Sequence, residues 1–250
     1  MIRTKKLSIN LFENPLNIVI FDYDFHAKNN HRNEGLDIIS KCLQKDKCWE
    51  PYQTEITKEL LKDGGHIFLD VGGHIGYYSL LSSVLNNEVY TIEMSPIYSG
   101  MIKENIKLNS ITNINLKEIK VDKDFNLDSI IDRNATIKLI KCDIEGYEIE
   151  FVDSILERLR DKKILNLILE ISPNFRENYP EYIKKIIDLG YFVYDIGLSP
   201  QRAISTTTTL DTLIARKLNF KNLQEIEVYV NNIKEKQSNF LFSIEKFSQH

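Results

Sequence analysis

Cysteine is scarce in this chain, and the few that occur are not paired. The 250 residues contain three, Cys42, Cys48 and Cys142, with no Cys-x-x-Cys spacing. An odd, unpaired set argues against a disulfide framework and against a cysteine-based zinc site. We therefore expect reduced thiols and a cytoplasmic protein.

Long apolar runs and an excess of positive charge are also missing. No stretch approaches the roughly 18 apolar residues that a membrane-spanning helix needs, and no apolar segment follows the basic start of the chain. The formal net charge is −4, with lysines interleaved among acids, which is typical of a solvated surface. These absences predict no membrane span and no nucleic-acid partner, and they leave the oligomeric state open.

What the chain does have is a regular alternation of short apolar runs and helical periods from residue 65 onward. Strands are predicted at residues 66–71, 88–92, 113–121, 137–142, 165–171 and 191–196, and helices at 76–85, 95–108, 147–159 and 180–189. This alternation predicts an α/β fold, with a Rossmann-like, mostly parallel sheet of about seven strands and helices on both faces. A last apolar run, at 240–244, predicts an antiparallel strand at the sheet edge.

Two regions lie outside this alternation. Residues 1–48 hold one apolar run and a predicted helix near 37–43, and we interpret them as an N-terminal cap over the carboxyl edge of the sheet. Within the main domain, 49–250, residues 199–238 carry a threonine run and helix-compatible sequence at 223–235. We interpret that segment as a surface insertion. Because loops beyond strand ends carry specificity, both regions are expected to shape a substrate pocket.

The most informative stretch joins the first predicted strand of the alternation to the next helix. The strand ends at Asp70 and breaks into a turn that contains Gly72, Gly73 and Gly76. Such a turn presents backbone N–H groups to a nucleotide-like ligand. The spacing departs from the dinucleotide pattern Gly-x-Gly-x-x-Gly, because Val71 stands where that pattern needs its first glycine. The acid at the strand end instead suits a ligand that carries a cation, such as the ammonium of S-adenosylmethionine.

A second acid, Glu93, ends the next predicted strand. An acid about 20 residues beyond a glycine turn is placed to bind a ribose, since one carboxylate accepts both hydroxyl protons of the diol. This feature supports nucleoside binding without choosing between cofactors. The alternative is a solvated carboxylate at a strand end.

A third acidic position is the cluster Asp143, Glu145 and Glu148, which follows the apolar run 137–140. Neighbouring carboxylates are costly to hold together unless a cation, a proton or water compensates. Asp143 can hold the ammonium of a cofactor, orient a hydroxyl or bind a divalent metal, and Glu145 can act as a general base. In the alternative interpretation, Asp143 caps the following helix and the two glutamates complement its dipole.

The ordered set of these motifs resembles the FkbM family of S-adenosylmethionine-dependent methyltransferases, within the class I Rossmann-like methyltransferases. The matching segments are Trp49-Glu50-Pro51-Tyr52 with Glu55, residues 68–79, Ile92-Glu93-Met94-Ser95-Pro96, Glu104-Asn105 with Asn109, Leu127-Asp128, residues 141–148 and Glu170. Together they span about residues 49–196. The resemblance implies O-methylation, commonly of hydroxyls on sugars, glycans or polyketide-type products.

The resemblance also implies roles for single residues. The methionine portion of the cofactor would be lined by four of them: Asp70, Gly72, Gly73 and Gly76. Glu93 would bind the ribose and Asp122 the adenine amino group, while Asp143 and Glu145 would face the methyl group and the acceptor. The family usually shows Asp-Val-Gly-Ala-Asn-Ile-Gly, whereas this chain has glycine for the alanine and His74 for the asparagine. The segment 199–238 has no counterpart that we can place.

These observations predict an enzyme that transfers a methyl group from S-adenosylmethionine to a hydroxyl of a small-molecule or glycan acceptor. The base that accepts the hydroxyl proton is expected to be Glu145, then Asp143, then His74. No resident metal is expected, since no full ligand set is evident, although Asp143 leaves a metal-assisted reaction open. Two other functions remain alternatives: a nicotinamide-dependent oxidoreductase, which the glycine spacing disfavours, and a non-catalytic nucleoside-binding scaffold.

Overall fold

A computed structural model describes residues 3–10, 15–28, 37–171, 178–197, 216–232 and 238–246. The strands in these ranges are β1 Thr4–Ile9, β2 Leu16–Phe21, β3 Ile67–Val71, β4 Glu88–Ile92, β5 Ile114–Lys117, β6 Ile137–Cys142, β7 Asn166–Ile171, β8 Phe192–Asp195, β9 Arg216–Leu218 and β10 Ser238–Ser243. The α-helices are α1 Tyr23–Lys28, α2 Ile38–Asp46, α3 Pro51–Leu61, α4 Tyr77–Val84, α5 Pro96–Leu108, α6 Glu148–Arg160, α7 Tyr179–Asp188 and α8 Leu223–Asn231. A single 3₁₀ turn spans Leu127–Ser129.

The main sheet has the strand order β5-β4-β3-β6-β7-β10-β8-β9. Strands β3 to β7 pair in parallel, while β10 is antiparallel to both of its neighbours and β9 is antiparallel to β8. The predicted α/β fold with a mostly parallel sheet is therefore confirmed.

The predicted edge position of the last strand is wrong. Strand β10 lies between β7 and β8, so that Phe240 is paired with Leu169 on one side and Asp195 on the other. The physical reason is that β10 is buried on both faces, with Phe240 and Phe242 in one core and Leu241 in the other. A strand with two apolar faces gains more by insertion into the sheet than at its edge.

Two hydrophobic cores cover the two faces of this sheet. Along β7, Leu167 and Leu169 enter the core that is shared with α6, α7 and α8, whereas Ile168 enters the core that is shared with α3 and α4. Alternate side chains of a strand point to opposite faces. The continuous apolar runs of the sequence are therefore strands buried on both sides.

Several elements differ from the sequence-based expectation. Strand β5 ends at Lys117, whereas the apolar pattern predicted a strand to residue 121, and the residues beyond it form a loop that reaches the cavity described below. Helix α3 was not predicted; it begins with Pro51 at its first turn. Strand β9 and the pairing of β1 with β2 were also not predicted. The threonine run at 205–209 falls outside the described residues.

The N-terminal strand pair is anchored to helix α5 by asparagine side chains. Asn105 Oδ1 accepts the N–H of Val19 at 2.6 Å, and Asn105 Nδ2 donates to the carbonyl of Ile75 at 2.9 Å. Asn109 contacts both backbone groups of Asn17, accepting its N–H and donating to its carbonyl. Among the described residues of the region 1–48, the cavity is reached only by Asp37 and the first turn of α2, so the division into a cap and a main domain stays a prediction. Among the described helices, none has the length and apolar character that crossing a bilayer requires.

Candidate functional site

A cavity of about 500 Å³ opens beyond the carboxyl ends of the central parallel strands. Its lining includes seven of the site residues that were predicted from sequence: Asp70, Gly72, Gly73, His74, Glu93, Asp143 and Glu145. Gly76 and Asp122 are not among its lining residues. A second depression of about 540 Å³ lies between β9 and α8, on a more open part of the surface and without such a cluster of acids. The first cavity is therefore the candidate site.

The glycine turn leaves no room for a Cβ atom at Gly72 or Gly73. Gly72 has φ 85°, and a Cβ built on it would lie 1.8 Å from the carbonyl oxygen of Asp143. A Cβ on Gly73 would lie 2.4 Å from Cγ2 of Thr91, which favours glycine at this position. The N–H groups of both glycines donate to the carbonyl of Ile92, at 2.9 and 3.1 Å. The turn is thus packed directly against the ends of β4 and β6. The expectation that the turn presents its N–H groups to a ligand is wrong for these two glycines, because both groups already donate to Ile92.

Glu93 is a buried carboxylate whose two oxygens are each fixed by a backbone donor. Oε2 accepts the N–H of His74 at 2.8 Å, and Oε1 accepts the N–H of Ser95 at 2.7 Å. Burial raises the pKa of Glu93, and these two hydrogen bonds oppose the rise. The side chain is only 7% exposed, so the alternative of a solvated strand-end carboxylate is wrong. Each oxygen keeps a lone pair for a ligand hydroxyl.

Asp70 ties the glycine turn to the start of α4. Its Oδ2 accepts the hydroxyl of Ser79 at 2.5 Å, and that hydroxyl lies 2.7 Å from the hydroxyl of Thr91. Burial raises the pKa of Asp70, while the nearby Lys141 lowers it. This carboxyl therefore has a structural partner as well as a place in the cavity wall.

Lys141 is a buried cation at the floor of the cavity that the sequence analysis missed. Its Nζ lies 2.7 Å from Oδ2 of Asp143 and 4.9 Å from the ring centre of Tyr78. Burial alone would lower the pKa of Lys141, but Asp143, Glu50 and Asp70 outweigh it and raise the pKa. One ammonium thus faces three carboxyl groups. The sequence offered one sign of this role, because Lys141 stands next to the end of a strand whose other residues, apart from Lys138, are apolar.

Two further glutamates complete this floor, and both were absent from the predicted site. Glu50 precedes α3 and accepts the hydroxyl of Tyr78 at 2.8 Å and the amide of Gln53 at 2.7 Å. Glu170, at the end of β7, lies against Asp143 and is 6% exposed. Although both belong to segments of the family resemblance, their role depends on contacts that only the fold provides. No group of three or more His, Cys, Asp or Glu side chains in the described ranges is arranged to hold a metal.

The two glutamates of the cluster after β6 have opposite environments. Glu145, with φ 47°, is exposed at the rim of the cavity. Glu148 is fully buried and accepts the N–H groups of Ile144 and Gly146, at 3.1 and 2.8 Å, and the hydroxyl of Tyr179 at 2.8 Å. Glu148 therefore stabilises, by hydrogen bonds to the backbone, the turn that contains Asp143 and Glu145. The alternative in which Asp143 caps α6 is wrong, because the residue at the cap position is Tyr147.

His74 is held between the glycine turn and the N-terminal region. Its ring stacks on Tyr98, with 3.9 Å between ring centres, and its Nε2 lies 3.4 Å from Oδ1 of Asp37. Burial lowers the pKa of His74, although Asp37 and Asp143 oppose the change. Its Nδ1 is buried without a hydrogen-bond partner among the described residues. A neutral imidazole with one free nitrogen suits either a ligand contact or proton transfer.

The mouth of the cavity is apolar. Four of its lining residues are large, exposed hydrophobic side chains: Ile38, Met94, Ile119 and Tyr147. Asp122 lies outside this lining, and its Oδ1 accepts the N–H of Asp124 at 3.1 Å. A contact between Asp122 and an adenine stays a prediction. The cavity thus combines a mouth that is apolar apart from Glu145 with a charged floor, and small-molecule sites commonly combine apolar walls with a few polar groups.

Comparison with known proteins identifies the fold of this chain but shows no family to which it belongs. No protein-family model matches the chain, and no curated protein does. The structure is similar to the SAM-dependent methyltransferase from Agrobacterium tumefaciens, with a TM-score of 0.57 and 15% identity over 97% of this chain and 70% of that one. The fold is that of the class I S-adenosylmethionine-dependent methyltransferases.

Two further structures share this fold. The 16S rRNA N2 G1207 methyltransferase of T. thermophilus, solved with AdoMet and guanosine, gives a TM-score of 0.53 and 9% identity over 98% of this chain and 51% of that one. Precorrin-6y C5,15-methyltransferase from Geobacter metallireducens gives 0.50 and 16%, over 77% of this chain and 87% of that one. Their acceptors differ widely, so the shared fold does not identify the acceptor of this protein.

Proposed function

We propose that this protein is an S-adenosylmethionine-dependent methyltransferase of the FkbM type, which methylates a hydroxyl of a sugar, glycan or natural-product-type acceptor. The observation that carries the proposal is the geometry of Glu93. Its two oxygens are fixed by backbone N–H groups beside a glycine turn, at the carboxyl end of a parallel strand. A carboxylate placed in this way suits the two hydroxyls of a ribose.

The remaining lining residues fit the other parts of the cofactor. Apolar side chains at the mouth, Met94 and Ile119, suit the faces of an adenine ring. Beyond the glycine turn, Asp70 and Asp143 suit a positively charged group. When bound, S-adenosylmethionine supplies a methyl group on a positively charged sulfur. The protein's own contribution is to position the acceptor oxygen, which can supply roughly 7–11 kcal/mol, and to accept its proton.

A thermal shift titration with four ligands tests the cofactor assignment. We expect S-adenosylmethionine and S-adenosylhomocysteine to raise the midpoint and NAD and NADP to leave it unchanged. A ligand at a hundred times its Kd stabilises the folded state by about 2.7 kcal/mol, which is readily measured. A shift with NAD or NADP alone would instead favour the oxidoreductase alternative, and binding without transfer to any acceptor would favour the scaffold.

Glu145 is our first choice for the base that accepts the hydroxyl proton, because its carboxylate is exposed and lines the cavity. Asp143 is the second choice and His74 the third. With an acceptor found by screening hydroxyl compounds, Glu145→Gln should lower kcat by about 10²–10⁴-fold, the usual contribution of a general base. Unchanged turnover at saturating acceptor would remove this role from Glu145.

A further inference from the structure

At the end of the cavity on the β6 and β7 side, two carboxyl groups are neighbours, because Cys142 pairs with Leu169 and each is followed by an acid. Asp143 follows β6 and Glu170 is the penultimate residue of β7, and both line the cavity. The side chain of Asp143 is 30% exposed and is paired with Lys141 at 2.7 Å, whereas Glu170 is 6% exposed. Asp143 is therefore the member of the pair that is open to a ligand.

A hydrogen bond between these two carboxyl groups needs a shared proton. Oε2 of Glu170 is buried and meets no N–H or O–H donor among the described residues. A carboxylate supplies acceptors only, so two carboxyl groups can hydrogen-bond to each other only when one of them is protonated. The charged groups that face Glu170 are Asp143, Lys141 and Glu50, and Lys141 is already paired with Asp143.

The environments of the two groups determine where the proton resides. Burial and the neighbouring Asp143 raise the pKa of Glu170 to about 10. Burial alone would raise the pKa of Asp143, but Lys141 and the hydrogen bond from Glu170 lower it to about 2. These opposite directions place the shared proton on Glu170 and the negative charge on Asp143.

We propose that Glu170 is a positioning residue, which donates the shared proton to Asp143 and so keeps Asp143 ionised towards the positively charged end of the cofactor. This inference rests on the proposed function and adds a specificity. The reactant carries a positively charged sulfur and the product S-adenosylhomocysteine does not. The negative charge of Asp143 thus favours the positively charged reactant over the product. Glu170 is itself uncharged and acts by keeping Asp143 ionised.

The ratio of the two dissociation constants, product over reactant, measures this specificity by calorimetry without any acceptor. Asp143→Asn should lower the ratio about tenfold, the size expected for unit charges a few ångströms apart at a partly screened site. Glu170→Gln keeps a neutral hydrogen-bond donor and should change the ratio less than about twofold. Glu170→Leu removes the donor and should lower the ratio severalfold. Glu118→Gln, an exposed carboxylate outside the cavity, is the matched control.

The outcomes separate this inference from the proposed function. If neither nucleoside binds the wild-type protein, the proposed function fails. If both bind and Glu170→Gln lowers the ratio as strongly as Asp143→Asn, Glu170 is an anion and the inference is overturned. A ratio that Asp143→Asn leaves unchanged overturns it as well.

Infrared spectroscopy tests the shared proton directly and needs no ligand. At neutral pH, the wild-type protein should show the carbonyl stretch of a protonated carboxyl group, and the difference spectrum against Glu170→Gln should contain that band. Its absence from the difference spectrum would contradict a neutral Glu170. This measurement also remains decisive if the Asp143 or leucine variants fail to fold.

Discussion

Glu93→Ala is expected to abolish the stabilisation of this protein by S-adenosylmethionine and S-adenosylhomocysteine. The carboxylate is placed to accept two hydrogen bonds from a ribose, and hydrogen bonds to a charged group contribute about 1.5–3 kcal/mol each. Affinity should therefore fall by on the order of 10²–10⁴-fold. The thermal shift that either nucleoside gives to the wild-type protein should disappear at the same ligand concentration.

The control for this variant must show that the protein still folds. Glu93 also accepts the N–H groups of His74 and Ser95, so its loss should cost about 1–3 kcal/mol of the free energy of unfolding, measured with urea. Glu88→Ala removes a carboxylate from the opposite end of the same strand, where its side chain accepts the hydroxyl of Tyr90. That variant should keep the full thermal shift. A folded Glu93→Ala protein with an undiminished shift would contradict the assignment of the ribose site.

The central strands were the most predictable part of the fold. The predicted bounds of β4 and β6 agree with the structure, because each is a short run rich in apolar and β-branched residues that is followed directly by an acid. Helix α3 was missed because its apolar positions are mixed with β-branched and charged residues, so that its helical period is weak. The position of β10 was missed because periodicity indicates burial but not which strands are neighbours.

The candidate site was predictable where it depended on strand ends and not where it depended on contacts between distant segments. Asp70, Glu93 and Asp143 come together because parallel strands present their carboxyl ends at one edge of the sheet. Lys141 and Glu170 needed the fold, since a lone lysine and a lone glutamate in sequence are usually solvated. Glu170 meets Asp143 across neighbouring strands, which no local pattern encodes. Lys141 lies only two residues before Asp143, but its burial depends on the fold.

The backbone decides which carboxylates of the acidic cluster face the cavity. Glu145 and Glu148 are both near Asp143 in sequence, yet one is exposed at the rim and the other is fully buried under the turn. Glu145 and Gly146 both have positive φ, and the chain bends there before α6 begins at Glu148. Because that conformation is uncommon outside glycine, asparagine and aspartate, residue types alone did not predict it.

The glycine turn offers the largest expected effect on stability. Gly72→Ala places a methyl group 1.8 Å from the carbonyl oxygen of Asp143 on a backbone with φ 85°. The left-handed conformation alone costs about 1–2 kcal/mol, and a clash with rigid backbone adds more, so we expect a loss of at least about 4 kcal/mol in the free energy of unfolding. Urea denaturation measures the loss, and failure to obtain folded protein has the same meaning.

Gly100→Ala is the matched control. It makes the same chemical change at a position that has neither a positive φ nor a backbone atom close to the added Cβ. Gly100 lies in helix α5, is exposed, and has open space around the added Cβ. Alanine there should raise the free energy of unfolding by about 0.5–1 kcal/mol through its higher helix propensity. If Gly72→Ala were as stable as Gly100→Ala, the turn could not have the shape described here. The contact that places Asp143 beside the glycine turn would then fail, and with it the cavity geometry on which the proposed cofactor site depends.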